Sequence, residues 1–224
     1  MGIGTRSEVK KYISKGQVTV NDEKVRKAEL KIDTDCDCIR IDGREISYTE
    51  YEYYMLNKPA GIISASEDKR EQTVIDLILT KQRKDLFPVG RLDRDTEGLL
   101  LITNDGELAH RLLSPKKHVD KVYYARIRGN VTQEDVNRFK EGLDIGEKCL
   151  TLPAELKILQ AGEESEIEIT IREGKFHQVK RMFQAVEKEV LYLKRLSMGS
   201  LALDETLLPG EYRKLTKKEL ERLC

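Results

Sequence analysis

The sequence predicts an α+β protein: a largely antiparallel sheet with flanking helices, preceded by a small α/β module. Three observations lead there. Tyr123 to Arg128, Glu166 to Arg172 and Val190 to Leu196 read as strands of alternating polarity, the period of a half-buried sheet. Thr73 to Leu79, Glu107 to Leu113 and Thr132 to Phe139 read as amphipathic helices. These elements do not follow one another as βαβ units, so a doubly wound parallel sheet is not expected.

Thr5-Arg6-Ser7-Glu8 has the form of a capping box, in which two side chains satisfy free N–H groups at a helix start. Val9, Tyr12 and Ile13 follow as an i, i+3, i+4 stripe, and Gly16 stands where helices end. Gln17 to Val20 reads as a short strand, Asn21-Asp22 as a turn, and Val25 as renewed extended chain. Cys38 to Ile41 is another strand, turned at Asp42-Gly43. The module spans residues 1–46, below the size that usually folds securely alone. Glu45 to Tyr54 is expected as a linker, and Tyr54-Met55-Leu56-Asn57 opens the larger part, residues 47–224. There, Thr132 and Asp135 form a second capping box. Gly90 to Gly98 is a polar loop running into a buried strand, Leu99 to Ile102, and Asn104-Asp105-Gly106 is turn chemistry leading to a helix.

A chain of 224 residues can bury one main core and a small second one. Its 40 basic and 40 acidic side chains cancel, so any nucleic-acid footprint must come from local clustering. Residues 1–31 hold eight Lys/Arg against four acids. Arg6, Lys10 and Lys11 fall on the polar side of the first helix, and the hairpin adds Lys24, Arg26 and Lys27. This suits phosphate contacts, although charge alone fits a solvated helix face equally well. Apolar runs are short, so neither a signal peptide nor a membrane span is expected, and a cytoplasmic protein is. Cys36-Asp37-Cys38 has one intervening residue rather than the two to four of a zinc knuckle. His110, His118 and His177 lack ligand spacing, so no metal site is expected.

The chemistry centres on Pro88-Val-Gly-Arg-Leu-Asp-Arg-Asp-Thr-Glu-Gly98. A loop held by an apolar strand is a good platform for reactive groups. Asp93 and Asp95 read either as paired carboxylates for acid/base work or as loop acids bridged to Arg91 and Arg94. A hydrolase with both acids flanking a scissile bond is disfavoured on the expectation that the two point in opposite directions.

Four motifs in order settle the choice. The segment around Gly90-Arg91-Leu92-Asp93 is similar to the signature of the RsuA-type pseudouridine synthases. Tyr54-Met-Leu-Asn-Lys-Pro-Ala-Gly61, Lys121-Val-Tyr123 and Glu173-Gly-Lys-Phe-His-Gln-Val-Lys-Arg-Met182 resemble the family's other motifs. Residues 2–43 resemble the small RNA-binding domain first seen in ribosomal protein S4, entered about one helix after its usual start.

The resemblance implies a pseudouridine synthase fold and isomerisation of a uridine in RNA, without a cofactor, since nothing is oxidised and no group is imported. Asp93 would be the essential aspartate, Tyr123 would lie against the uracil, and Lys180 would pair with Asp93, with Arg181 the alternative one register away. Arg91 would enter the gap left by the flipped base. Lys58, Lys175, His177, Gln178 and Arg181 join Arg6, Lys10 and Lys11 as expected RNA contacts, His177 and Gln178 being equally readable as loop-ordering residues. Residues 172–195 carry seven basic and three acidic side chains beside this path. Leu113-Ser-Pro-Lys-Lys-His-Val119 and Thr151-Leu-Pro-Ala154 resemble the small-subunit branch, which implies 16S rRNA or a partly assembled small subunit as partner. The alternatives are a 23S rRNA target and a non-catalytic assembly factor. A monomer is expected.

Overall fold

The computed structural model describes residues 4–34, 36–46, 50–114 and 117–223. The chain divides into two compact units, Met1–Tyr51 with Lys81–Lys84 and Glu52–Thr80 with Asp85–Cys224.

The smaller unit opens with α1 (Arg6–Ser14). Its capping box forms: the Thr5 amide donates to Glu8 Oε2 at 2.6 Å, and the Glu8 amide donates to Thr5 Oγ1 at 3.3 Å. Strands β1 (Val18–Val20) and β2 (Glu23–Lys24) join through Asn21 and Asp22, both left-handed (φ 51° and 68°), as a tight two-residue hairpin requires. Strands β3 (Ile39–Ile41) and β4 (Arg44–Ile46) turn likewise on Asp42 and Gly43. The sheet order is β2-β1-β3-β4. The expected linker from Glu45 is therefore corrected at its start, because Ile46 pairs with Ile39 inside the sheet. Residues 47–49 of that linker lie outside the described residues.

The larger unit contains β5 (Tyr53–Lys58), β6 (Phe87–Pro88), β7 (Glu97–Thr103), α2 (Gly106–Leu113), β8 (Lys121–Arg128) and α3 (Gln133–Glu141). There follow β9 (Glu155–Gln160), β10 (Glu164–Ile171), α4 (Gln178–Gln184), β11 (Glu189–Met198), β12 (Leu201–Ala202), β13 (Tyr212–Lys214) and α5 (Lys217–Leu223). The main order is β13-β5-β7-β11-β8-β10-β9, with β6 on β7 and β12 on β11. Neighbouring strands run antiparallel except at the centre, where β11 pairs with β7 in parallel through Lys194↔Glu97 and Arg195↔Gly98. Two antiparallel halves thus meet at a short parallel seam.

Gly98 is required there. It has φ +100°, and a Cβ on it would stand 2.8 Å from the Arg195 nitrogen and closer still to the Arg195 carbonyl oxygen. Two side chains of β11 fasten the seam: Arg195 Nε donates to Leu99 O at 2.8 Å, and the Tyr192 hydroxyl donates to Glu97 Oε2 at 2.7 Å.

The core lies on both sides of the sheet. Leu56, Leu100, Ile102, Ile127, Ile167 and Ile169 pack with Phe139 of α3 and Phe183 of α4, whose rings are 4.9 Å apart. Met55, Leu99 and Leu101 pack with Leu108 and Leu112 of α2 on the other side. Because β7 is covered on both faces, its sequence is an unbroken apolar run and not an alternating one.

The expected helix over Thr73–Leu79 is not formed. Val74, Ile75 and Ile78 are buried as their spacing implies, but the chain makes successive single turns, Asp76 N to Thr73 O and Ile78 N to Ile75 O. The Asp76 carboxylate accepts from both the Thr73 amide (2.8 Å) and the Thr73 hydroxyl (2.9 Å), and the Val74 amide donates to Ile63 O. The Thr73–Asp76 bonds have the form of a helix-starting capping box, yet after Val74 has paired with Ile63 the β-branched run continues in single turns. Among the described residues no helix is long and apolar enough to cross a membrane.

Candidate active site

The loop before β7 is anchored from below before it presents any reactive group. Leu92 is buried in the core, and Ser64 brackets it: the Leu92 amide donates to Ser64 Oγ at 3.1 Å, and the Ser64 hydroxyl donates to Leu92 O at 2.9 Å. The Thr96 amide donates to Asp93 O at 3.1 Å, closing a turn across Asp93–Thr96. Arg94 turns aside to Gly61 O and Glu71.

Lys58 organises the same loop. It was expected to touch RNA, and that is corrected: it is fully buried at the end of β5. Its ammonium donates to Pro59 O, Arg94 O and Thr96 O at 3.0, 3.2 and 2.9 Å. Burial drives its pKa down to about 8 against the opposing pull of Asp95, Asp93 and Glu97. A lysine can sit there because three carbonyls converge on it.

A cluster of charged side chains forms above this base. Asp93 Oδ2 is 3.0 Å from Lys180 Nζ on α4, and Asp93 Oδ1 is 3.5 Å from His177 Nε2. Asp95 Oδ1 reaches the same ammonium at 2.6 Å. The expectation that the two aspartates point apart is therefore overturned: residues two apart in extended chain share a side, and the Asp93–Thr96 turn brings both acids to one cation. Burial lowers the Lys180 pKa, but hydrogen bonds and charge from Asp95 and Asp93 outweigh it, so the group ends above the ordinary lysine value. Burial likewise raises Asp95, and the Lys180 hydrogen bond and charge prevail to hold it below the usual carboxylate range. Asp93, Lys180, Tyr123, Thr96 and Arg91 line one narrow cavity of about 80 Å³. Tyr123 lies on β8 and is nearly buried, whereas Tyr124 faces the other way and meets Tyr192 edge-on at 6.1 Å. The geometry brings Asp93, Tyr123, Lys180, His177 and Arg91 together.

The neighbouring residues do other work. Gln178 is buried: its Nε2 donates to Glu173 Oε1 at 2.9 Å, and its Oε1 accepts from the Lys175 amide at 2.9 Å. Of its two expected readings, ordering the loop is the one the geometry supports. Lys175 Nζ reaches Leu150 O at 3.1 Å and Glu173 at 3.4 Å. Arg181 faces away from Asp93, toward Glu147 at 2.7 Å, Phe176 O at 3.1 Å and Ile145 O, so the alternative register for the Asp93 partner does not hold. Arg6, Lys10 and Lys11 are exposed on α1. Sequence reasoning gave no role to Ser64 or Glu173, and it set Asp95 beside Asp93 without its bond to Lys180. The Asp95 pairing was open to a correct application of strand periodicity; the other two carry no local signal.

A carboxylate ion-paired with an ammonium, beside a tyrosine in a narrow cavity, can attack or deprotonate a sugar carbon while a flat base lies against the ring. Such a fold and site define an enzyme that rearranges a nucleoside within RNA. The chain belongs to the RNA pseudouridylate synthase family, whose model matches residues 52–185, and it is an isomerase. An S4 domain matches residues 1–35. Across 99% of the chain and 94% of the relative, it is 47% identical to the uncharacterized RNA pseudouridine synthase YtzG of Bacillus subtilis (strain 168). It is 41% identical to the ribosomal small subunit pseudouridine synthase A of Vibrio cholerae, covering 96% of the chain and 92% of that protein. It is 37% identical to the ribosomal large subunit pseudouridine synthase B of Bacillus subtilis, covering 99% and 91%. A crystal structure of pseudouridylate synthase superposes with a TM-score of 0.73 at 38% identity, covering 98% of this chain and 94% of that one.

Proposed function

We propose that the protein isomerises one uridine of 16S ribosomal RNA, with Asp93 as the reacting carboxylate, Tyr123 against the uracil and Lys180 as the cation paired with Asp93. The observation that carries this reading is the 3.0 Å Asp93–Lys180 pair in a cavity that Tyr123 also lines. The reaction breaks the C1′–N1 bond, turns the uracil and joins C1′ to C5; C5 loses its hydrogen and N1 gains one, so atoms balance without a cofactor. The carboxylate either bonds to C1′ or removes the C2′ proton, and both routes need it ionised. A stacked uridine must first leave the helix, and exposed Arg91 on the cavity wall suits the vacated space. Arg6, Lys10 and Lys11, exposed on α1, supply phosphate contacts in this reading.

Likeness to the small-subunit synthase of Vibrio cholerae supports 16S rRNA as the target. A 23S target is the second reading, favoured by likeness to the large-subunit synthase of Bacillus subtilis. The test is tritium release from RNA labelled at uridine C5, comparing naked 16S rRNA, partly assembled small subunits and 23S rRNA. Release is expected from a 16S substrate, with Asp93→Asn reducing the rate by roughly a thousandfold or more. No release from any of the three would refute the reaction, and release from 23S rRNA alone would move the target.

A further inference from the structure

Phe176 is 73% exposed and belongs to neither core cluster, so packing does not account for a large apolar ring at this place. One face of the ring lies on the His177 imidazole, with centroids 3.8 Å apart and planes within 18°. His177 is itself fixed. Its backbone is left-handed (φ 49°) immediately before α4, and its Nε2 stands 3.5 Å from Asp93 Oδ1. The Phe176 carbonyl accepts from Arg181 Nη1 at 3.1 Å, and Arg181 is held in turn by Glu147. The ring pair thus starts at the reacting carboxylate and ends in an aromatic face open to solvent. Exposed Arg91 lines the same cavity as His177, a cation suited to a phosphate backbone.

The geometry points to a stacking platform: Phe176, backed by His177, takes the flat face of an unpaired nucleobase next to the target uridine. This rests on the RNA substrate proposed above. A preformed two-ring stack needs only one more layer at the same spacing, and every base has a π-face, so the platform selects unpaired RNA over duplex without reading sequence. The ring acts by positioning and touches no reacting atom.

The chain contains no tryptophan, so Phe176→Trp introduces a single fluorescent reporter at the proposed contact. In the Phe176→Trp/Asp93→Asn protein, in vitro-transcribed 16S or 23S rRNA is expected to quench the emission as it binds, and a fully paired RNA duplex is not. In the tritium assay, Phe176→Ala is expected to raise KM roughly 5- to 100-fold, the range of one base–aromatic stack, with kcat nearly unchanged. Phe176→Tyr is expected to restore KM. Unchanged emission while filter binding shows retained RNA would overturn the platform, as would equal quenching by duplex or a wild-type KM in Phe176→Ala. Quenching by single-stranded RNA in the absence of tritium release from wild type would support the platform and refute the reaction, which separates the two.

Discussion

In the unit that carries Asp93, strand β7 is covered on both faces, and apolar side chains from α2, α3 and α4 close over a sheet of long strands. In the smaller unit the strands are two or three residues long, and among its described residues Val18 alone is a buried core residue. The first arrangement suits a task in which atoms must be held to a few tenths of an ångström. The second suits contact with phosphates, where charge reaches beyond van der Waals distance and a loosely held cation still works. Order is concentrated where the reaction needs it.

Four measurements would break or sharpen that contrast. Leu100→Ala, on the central strand and fully buried, is expected to cost the larger unit about 2–5 kcal/mol in urea unfolding. Val18→Ala is expected to cost about 1–2.5 kcal/mol and to melt the smaller unit alone, read by amide exchange. A matching loss of protection across β7 and β11 would show that the two units are one cooperative structure.

Lys58 offers a third test through pH. Its folded pKa of about 8 lies below the lysine value of 10.5, so above pH 8 the folded chain sheds a proton that the unfolded chain keeps. Stability from this group therefore rises with pH between those values, by at most about 1.4 kcal/mol per unit. Lys180, raised above 10.5, contributes stability that is complete below that value and is lost at still higher pH, so the two windows do not overlap. Lys58→Met is expected to flatten the slope between pH 8 and 10, and an unaltered slope would assign it elsewhere. The smallest effect is Thr5→Ala, which removes the α1 cap at about 1 kcal/mol and is expected to speed exchange in α1 while tritium release per bound RNA stays constant.

Much of the fold was legible because its signals are local. Alternation marked β8, β10 and β11, Thr132 with Asp135 marked the start of α3, and Asn21-Asp22 marked a tight hairpin. The pairing of β1 with β3 depends on partners some twenty residues apart and leaves no local trace. Thr73–Leu79 shows periodicity reporting the burial of Val74, Ile75 and Ile78 correctly and conformation wrongly, and the exposed Leu79 is what the missing helix would have turned toward the core. At the site, ordered motifs led to Asp93, Tyr123 and Lys180, but hydropathy places a lysine on the surface, and only convergence of Pro59, Arg94 and Thr96 carbonyls explains why Lys58 is inside.

The parallel seam between β7 and β11 has a consequence for how the site can fail. Asp93 enters from the half of the sheet containing β5 and β7, whereas Tyr123 and Lys180 belong to the half containing β8 and β11. Two residue pairs, Lys194↔Glu97 and Arg195↔Gly98, set the registration between them. A slip of one step would carry the carboxylate away from its ammonium and its tyrosine. The bare α-carbon of Gly98 acts as an alignment mark for the two halves of the cluster, since any side chain there would meet the Arg195 backbone and force them out of register.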